Sequence, residues 1–289
     1  MKFGLILCTL GRDKEVESLL KSLLNQSYKN FYLIVVDQNK DNKIDSILKK
    51  YKNKIIIKHL KVNFKGLSKA RNYGLKYIEK DTDVVAFPDD DCEYPKNLLL
   101  KIAKFLKKNT NYSFITGISI DRNGYMTNGK FKTNPTEINK LNLLETAISY
   151  TIFIRSYCLN DIRFDENLGV GSKFGSTEES DFIYQLLEKK CKGFYFPGLV
   201  KVIHPEKGNL CNDKFVNRSS YYALGLGAFF KKNFIKHKDF GLFLPFLNHM
   251  IIRPFGGFLY SIIRFNKCKI KLYLSILKNR WIGFLYYGR

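Results

Sequence analysis

The sequence predicts an α/β fold: a doubly wound, mostly parallel sheet with helices on both faces. Two observations lead there. Short apolar runs suited to buried strands alternate with stretches of helical periodicity. The runs also end in polar residues, first Thr9 and Arg12, then Asp37, then the triplet Asp89, Asp90 and Asp91. Buried parallel strands present their functional groups at their carboxyl ends, in the crevice above the sheet.

Taken in order, residues 3–9 read as a first buried strand, followed by the turn Leu10-Gly11-Arg12-Asp13. Val16, Leu19, Leu20, Leu23 and Leu24 then recur at helical spacing. Residues 31–36 form a second strand ending in Asp37, residues 44–51 a helix, and Ile55 to Ile57 a third strand. Residues 67–78 are helical, with Gly66 and Ser68 at a start that could face an anion together with Arg71. An ordinary capped amphipathic helix explains the same stretch. The run Val84-Val85-Ala86-Phe87-Pro88 leads into the Asp triplet, which is either a solvated acidic turn or a site for something cationic. Residues 113–120 read as one strand, 121–140 as a long loop containing Gly124, Gly129 and Pro135, and 194–203 as a final strand followed by His204. Between them, a glycine-rich loop runs into Glu178, Glu179 and Asp181 at the start of a helix. Ser176 and Glu179 fit a capping box, and a carboxylate at that point is equally suited to taking a proton.

Composition narrows the function. The chain has 289 residues, 45% hydrophobic and 26% charged, with a net charge of +23. That charge calls for an anionic partner: nucleotide phosphates, nucleic acid or an acidic membrane surface. No Gly-x-Gly-x-x-Gly follows the first strand and no Walker A sequence occurs, so phosphate must be met by a metal with Lys or Arg. Six scattered cysteines predict neither a zinc site nor a disulfide framework, and point to a reducing compartment. Met1 leads straight into a strand, so no signal peptide is expected.

In register, these pieces resemble family 2 glycosyltransferases of the GT-A fold. Thr9 and Arg12 stand where that family has Pro-Thr-Tyr-Asn-Arg, and Val35-Val36-Asp37 where it has Val-Asp-Asp-Gly-Ser. Gly66-Leu67-Ser68-Lys69-Ala70-Arg71-Asn72-Tyr73-Gly74 matches Gly-x-x-x-Ala-Arg-Asn-x-Gly. The Asp triplet matches Asp-x-Asp, and Phe164-Asp165-Glu166 with Glu178-Glu179-x-Asp181 matches the acceptor-side segment. The resemblance covers about residues 3–205. It implies an inverting transfer from a nucleotide-diphospho-sugar to a hydroxyl of a glycan or lipid-linked acceptor, in bacterial surface polysaccharide synthesis. Asp37 would contact the base and Arg71 the diphosphate side, with Thr9, Arg12, Gly66, Asp89 and Asp90 around the nucleotide-sugar. Asp91, with His204, would hold Mn²⁺ or Mg²⁺. Glu179 would be the catalytic base, with Glu178 and Asp181 on the acceptor side. Gln38-Asn39-Lys40 departs from Asp-Gly-Ser, and Glu stands at 179 where the family more usually has Asp.

The expected catalytic domain is 1–205, followed by a basic, aromatic helical extension over 206–289. From Lys214 onward there are fourteen Lys or Arg and one acidic residue, Asp239. The longest uncharged run, 240–252, falls short of the roughly 20 residues of a spanning helix. The composition fits helices lying in an anionic membrane interface; a packed helical subdomain and a spanning hairpin are the alternatives. The expected location is cytoplasmic, peripheral on the inner face of the cell membrane. Two other functions compete: a sugar-1-phosphate nucleotidyltransferase, which the turn after the first strand fits poorly, and a basic nucleic-acid-binding protein, which the acidic strand ends oppose.

Overall fold

Strand β1 (Phe3–Thr9) is buried along its whole length, which explains a sequence apolar at successive positions up to Cys8 rather than at alternate ones. In the computed structural model, which describes residues 1–127, 131–205, 208 and 210–288, β1 is central to an eight-stranded sheet. It pairs in parallel with β2 (Phe31–Asp37) on one side and β4 (Val84–Ala86) on the other. β3 (Ile56–Lys61) adds a parallel edge beyond β2. Helices α1 (Lys14–Leu24), α2 (Asp45–Tyr51), α3 (Leu67–Leu75) and α4 (Leu98–Lys108) connect and cover this half. Val16, Leu19, Leu20 and Leu23 of α1 pack with Leu5, Leu7 and Leu33 of the sheet.

Past β4 the sheet stops being parallel. The expected strand over 113–120 divides at Gly117 into β5 (Phe114–Thr116) and β6 (Ile118–Ile120). A Cβ at Gly117 would lie 1.9 Å from the Val200 carbonyl oxygen, so the close approach needs glycine. The loop after β6 holds β7 (Thr136–Ile138); Gly129, read as part of that loop, lies outside the described residues. β8 (Phe153–Arg155) inserts antiparallel between β4 and β5. The expected final strand also divides, around Pro197-Gly198, into β9 (Gly193–Tyr195) and β10 (Lys201–Ile203). β9 joins the main sheet beside β5 and β7, while β10 pairs with β6 in a separate two-stranded sheet. Helix α5 (Glu178–Glu188) packs Phe182 and Ile183 into the core beside Phe87 and Phe164.

The C-terminal part is helical. α6 (Asp213–Phe230), capped by Asn212, runs into a π-helical turn, Lys231–Lys236. α7 (Phe243–Phe246) and α8 (Arg253–Ile263) are stretches of one helix from Phe240 to Ile263, and α9 (Lys267–Tyr286) follows. α9 lies against α6 with backbones nearly touching: a Cβ at Gly227 would sit 1.9 Å from the Arg280 carbonyl oxygen, and one at Gly283 2.0 Å from that of Leu224. Two expectations are corrected here. Cys211 and Cys268 form a disulfide joining the starts of α6 and α9, although they are 57 residues apart in sequence and nothing local marks them as a pair. The uncharged run also does not end as a helix at Ile252, because Arg253 is accommodated at the helix surface. Over 24 residues, 240–263 is long and apolar enough to cross a membrane by length and composition.

Candidate active site

The acidic triplet begins three residues beyond the end of β4, where Asp89 bridges to Cys8 of β1. β10 delivers His204 to the same point, because the His204 N–H donates to the Ile120 carbonyl and Glu93 and Ile203 exchange backbone hydrogen bonds. His204 stacks on Tyr150 at 4.7 Å between ring centroids. Its Nε2 lies 2.8 Å from Asp91 Oδ1, and its Nδ1 lies 2.9 Å from the Pro205 carbonyl. Ligand atoms of Asp89, Asp91 and His204 all fall within 4.8 Å of one another. Two hard carboxylate oxygens and an imidazole suit Mn²⁺ or Mg²⁺. Arg12 pairs with both Asp90, at 2.8 Å, and Asp91. Burial pushes Asp90 up to about 6 even though Arg12 opposes the shift. Burial acts on Asp91 in the same sense but is outweighed: the hydrogen bond to His204 and the Arg12 charge hold it at about 2. A cavity of about 450 Å³ opens beside Asp91 and His204.

Arg71 links this cluster to the second one. It is 1% exposed, on α3, with its guanidinium stacked over Phe164. One NH₂ group donates to Asp89 at 2.8 Å and to Ser149 Oγ at 2.9 Å; the other donates to Glu178 at 3.1 Å. Ser149 carried no signal in the sequence. Gly66, with φ +121, starts α3, but the helix end is not open: the Leu67 N–H donates to the Val170 carbonyl. The loop 168–171 that closes it turns on Gly169 and Gly171, both at positive φ.

The expected capping box does not form. Thr177, in the left-handed region at φ 72, precedes α5 without a side-chain cap, and the Ser176 hydroxyl instead donates to the Tyr222 carbonyl. Glu179 is thus not used as a cap. It is half-buried, and burial, reinforced by the neighbouring Glu178 charge, raises its carboxyl well above the ordinary range. A carboxyl raised in this way is fitted to exchange a proton. Asp181 lies elsewhere: it is fully buried, with both oxygens bonded to Asn233, Lys232 and Gln185.

At the end of β2, Asp37 is fully buried. Its Oδ1 accepts from the Asn39 backbone and side-chain amides at 2.9 and 2.8 Å, and its Oδ2 lies 3.0 Å from His59 Nε2. Against its burial, these partners hold its carboxyl below the usual range. His59, on the edge strand β3, was missed in the sequence because no motif surrounds it.

Known proteins resemble this chain in sequence and in fold. The chain is 25% identical over 278 residues to the minor teichoic acid biosynthesis protein GgaA of Bacillus subtilis (strain 168), covering 89% of this chain and 60% of that protein. It is 30% identical over 178 residues to the poly(ribitol-phosphate) beta-N-acetylglucosaminyltransferase TarS of Staphylococcus aureus, covering 58% of this chain and 30% of that one. The chain thus spans less than two thirds of either relative. Among solved structures, the mannosyltransferase PcManGT from Pyrobaculum calidifontis, in complex with GDP-Man and Mn²⁺, superposes with a TM-score of 0.70 at 13% identity, over 100% of this chain and 88% of that one. S. aureus TarS 1-349 in complex with UDP-GlcNAc gives 0.59 at 19%, over 99% and 91%. These structures establish a GT-A fold. The family model described as glycosyl transferase family 2 matches residues 5–169, more than half of the sequence, and the chain therefore belongs to that family.

Proposed function

We propose that the chain is an inverting glycosyltransferase. It moves a sugar from a nucleotide-diphospho-sugar to a hydroxyl of a glycan or lipid-linked acceptor, in the synthesis of teichoic acid or a related bacterial surface polysaccharide. The observation that carries this reading is Arg71, which ties Asp89 of the candidate metal-binding cluster to Glu178 beside the candidate base. Asp89, Asp91 and His204 would hold a divalent cation, which would supply charge neutralisation for a departing diphosphate. Arg71 and Arg12 add fixed positive charge on the same side. Glu179, its proton affinity raised, accepts the proton of the acceptor hydroxyl, and no side-chain nucleophile is required.

The base pocket favours uracil or thymine. The support for this preference is the solved TarS structure, whose bound donor is UDP-GlcNAc. Asp37, with Asn39 and His59 bonded to it, stands at the end of β2 where the base is expected.

The C-terminal helices are proposed as the membrane contact, which keeps the chain cytoplasmic and peripheral on the inner face. Phe240, Phe243, Leu244, Ile252, Phe255, Ile263 and Phe265 are exposed beside Arg253, Arg264 and Lys267, as suits an anionic interface. On this reading residues 1–205 form the catalytic domain and the rest is the extension. Nothing in the geometry favours the nucleotidyltransferase or nucleic-acid readings over it.

The test is thermal shift with UDP-, GDP- and dTDP-sugars, with and without Mn²⁺, on wild type and Asp91→Ala. A Mn²⁺-dependent rise for a uridine or thymidine donor, lost in the variant, is expected. A flat panel overturns the transferase reading, and a rise with GDP-sugars alone overturns the base preference.

A further inference from the structure

The segment from Asp165 to Asp181 carries Glu178 and Glu179, and it is anchored largely from the C-terminal helices. Asp181 lies two residues after Glu179 on the first turn of α5. Its Oδ2 accepts from Lys232 Nζ at 2.8 Å and Gln185 Nε2 at 2.9 Å, and its Oδ1 from Asn233 Nδ2 at 2.9 Å. The same Lys232 ammonium donates to Asp165 Oδ2 at 2.9 Å, and the Tyr287 hydroxyl donates to that oxygen too. Between these ends, the Tyr221 hydroxyl donates to the Ser172 carbonyl and Ser176 Oγ to the Tyr222 carbonyl, each at 2.7 Å. Lys232 and Asn233 are consecutive residues that both point inward. They belong to the π-helical turn that follows α6.

Asp165 and Asp181 begin and end the segment, and Lys232 is the cation that lets the fully buried Asp181 and the part-buried Asp165 sit together. A buried ion cluster of this kind adds little net stability over an apolar one; its better-attested use is to select one arrangement. The arrangement selected here is the separation of the segment's two ends, and hence the position of Glu179 relative to Arg71 and Asp89.

We propose that Lys232, through Asp181 and Asp165 and with Tyr287, is a positioning residue for the transfer step: it holds the candidate base in register from the C-terminal helices. The proposal rests on the reading of Glu179 as the base. The test uses the full chain as wild type, Lys232→Met, Lys232→Arg, Tyr287→Phe and Glu179→Gln. UDP affinity with Mn²⁺, turnover of the UDP- or dTDP-sugar selected above, and hydrogen exchange over 165–181 are measured. Displacement of a reacting group by about 1 Å can cost on the order of 100-fold in rate. Lys232→Met is therefore expected to lower kcat at least about tenfold. Donor KM and UDP affinity should stay within about twofold, and exchange in 165–181 should rise. Tyr287→Phe should do the same more mildly, and Lys232→Arg should restore most of kcat. Unchanged kcat in both Lys232→Met and Tyr287→Phe overturns the proposal. So does a loss of kcat that only follows a loss of UDP binding. If Lys232→Met does not fold, Tyr287→Phe decides. Glu179→Gln separates the two readings: retained turnover there overturns the base assignment, whereas its loss beside an active Lys232→Met overturns positioning alone.

Discussion

Arg71 is almost wholly buried, and such a guanidinium must be answered by carboxylates. Its two carboxylate partners, Asp89 and Glu178, come from parts of the chain 18 and 107 residues away. Arg71→Met leaves both acids facing an apolar group, and breaking buried pairs costs about 3–5 kcal/mol. A drop in thermal midpoint together with loss of donor binding is expected, and Arg71→Lys should restore only part of either, since one ammonium cannot reproduce the fork. Glu179 makes a separate prediction. A base works when deprotonated, so with its pKa raised by burial and Glu178, kcat/KM should climb with pH through a value above the ordinary glutamate range of about 4.3. Glu178→Gln removes the like charge and should move that limb to lower pH in a pH–rate profile. These carboxylates and Arg71 were legible because each sits in a short recognisable run. Ser149, His59 and Lys232 were not: each matters through a partner distant in sequence, and none stands in a motif.

Among elements, the helices were readable from periodicity because one apolar face repeats every three to four residues. The strand breaks were not, since Gly117 gives way to the Val200 carbonyl only once β10 is in place. The disulfide was equally hidden. By chain entropy, a crosslink over 57 residues stabilises by about 4 kcal/mol. Reduction, or Cys268→Ser, should therefore lower the denaturant midpoint of the α6–α9 pair more than that of the sheet; hydrogen exchange resolved by segment distinguishes them. Gly227→Val should separate α6 from α9, because the added carbons meet backbone rather than a movable side chain. It should also lower kcat through Lys232, a combination seen by comparing turnover with UDP affinity.

Over the whole molecule, a net charge of +23 coexists with an acidic cleft, so the excess lies elsewhere, much of it on the C-terminal helices. Binding to vesicles that contain anionic lipid should weaken as salt rises, over a Debye length that shrinks from about 10 Å at 0.1 M to about 3 Å at 1 M. If the exposed face of 240–263 enters the interface, a fraction should stay bound at high salt in co-sedimentation, and Phe243→Asp with Phe255→Asp should release it. Complete recovery in the supernatant at low salt would contradict the membrane assignment.

The hydrogen bond from Tyr287 reaches back 122 residues to Asp165. On the ribosome, the sheet, the acidic triplet and Arg71 all emerge well before α9 does. A nascent chain should therefore assemble the proposed donor site before the segment bearing Glu179 is tied down. Until translation passes α9, it should bind nucleotide-sugar without spending it, so that the last part of the active centre to mature is set by the order of synthesis.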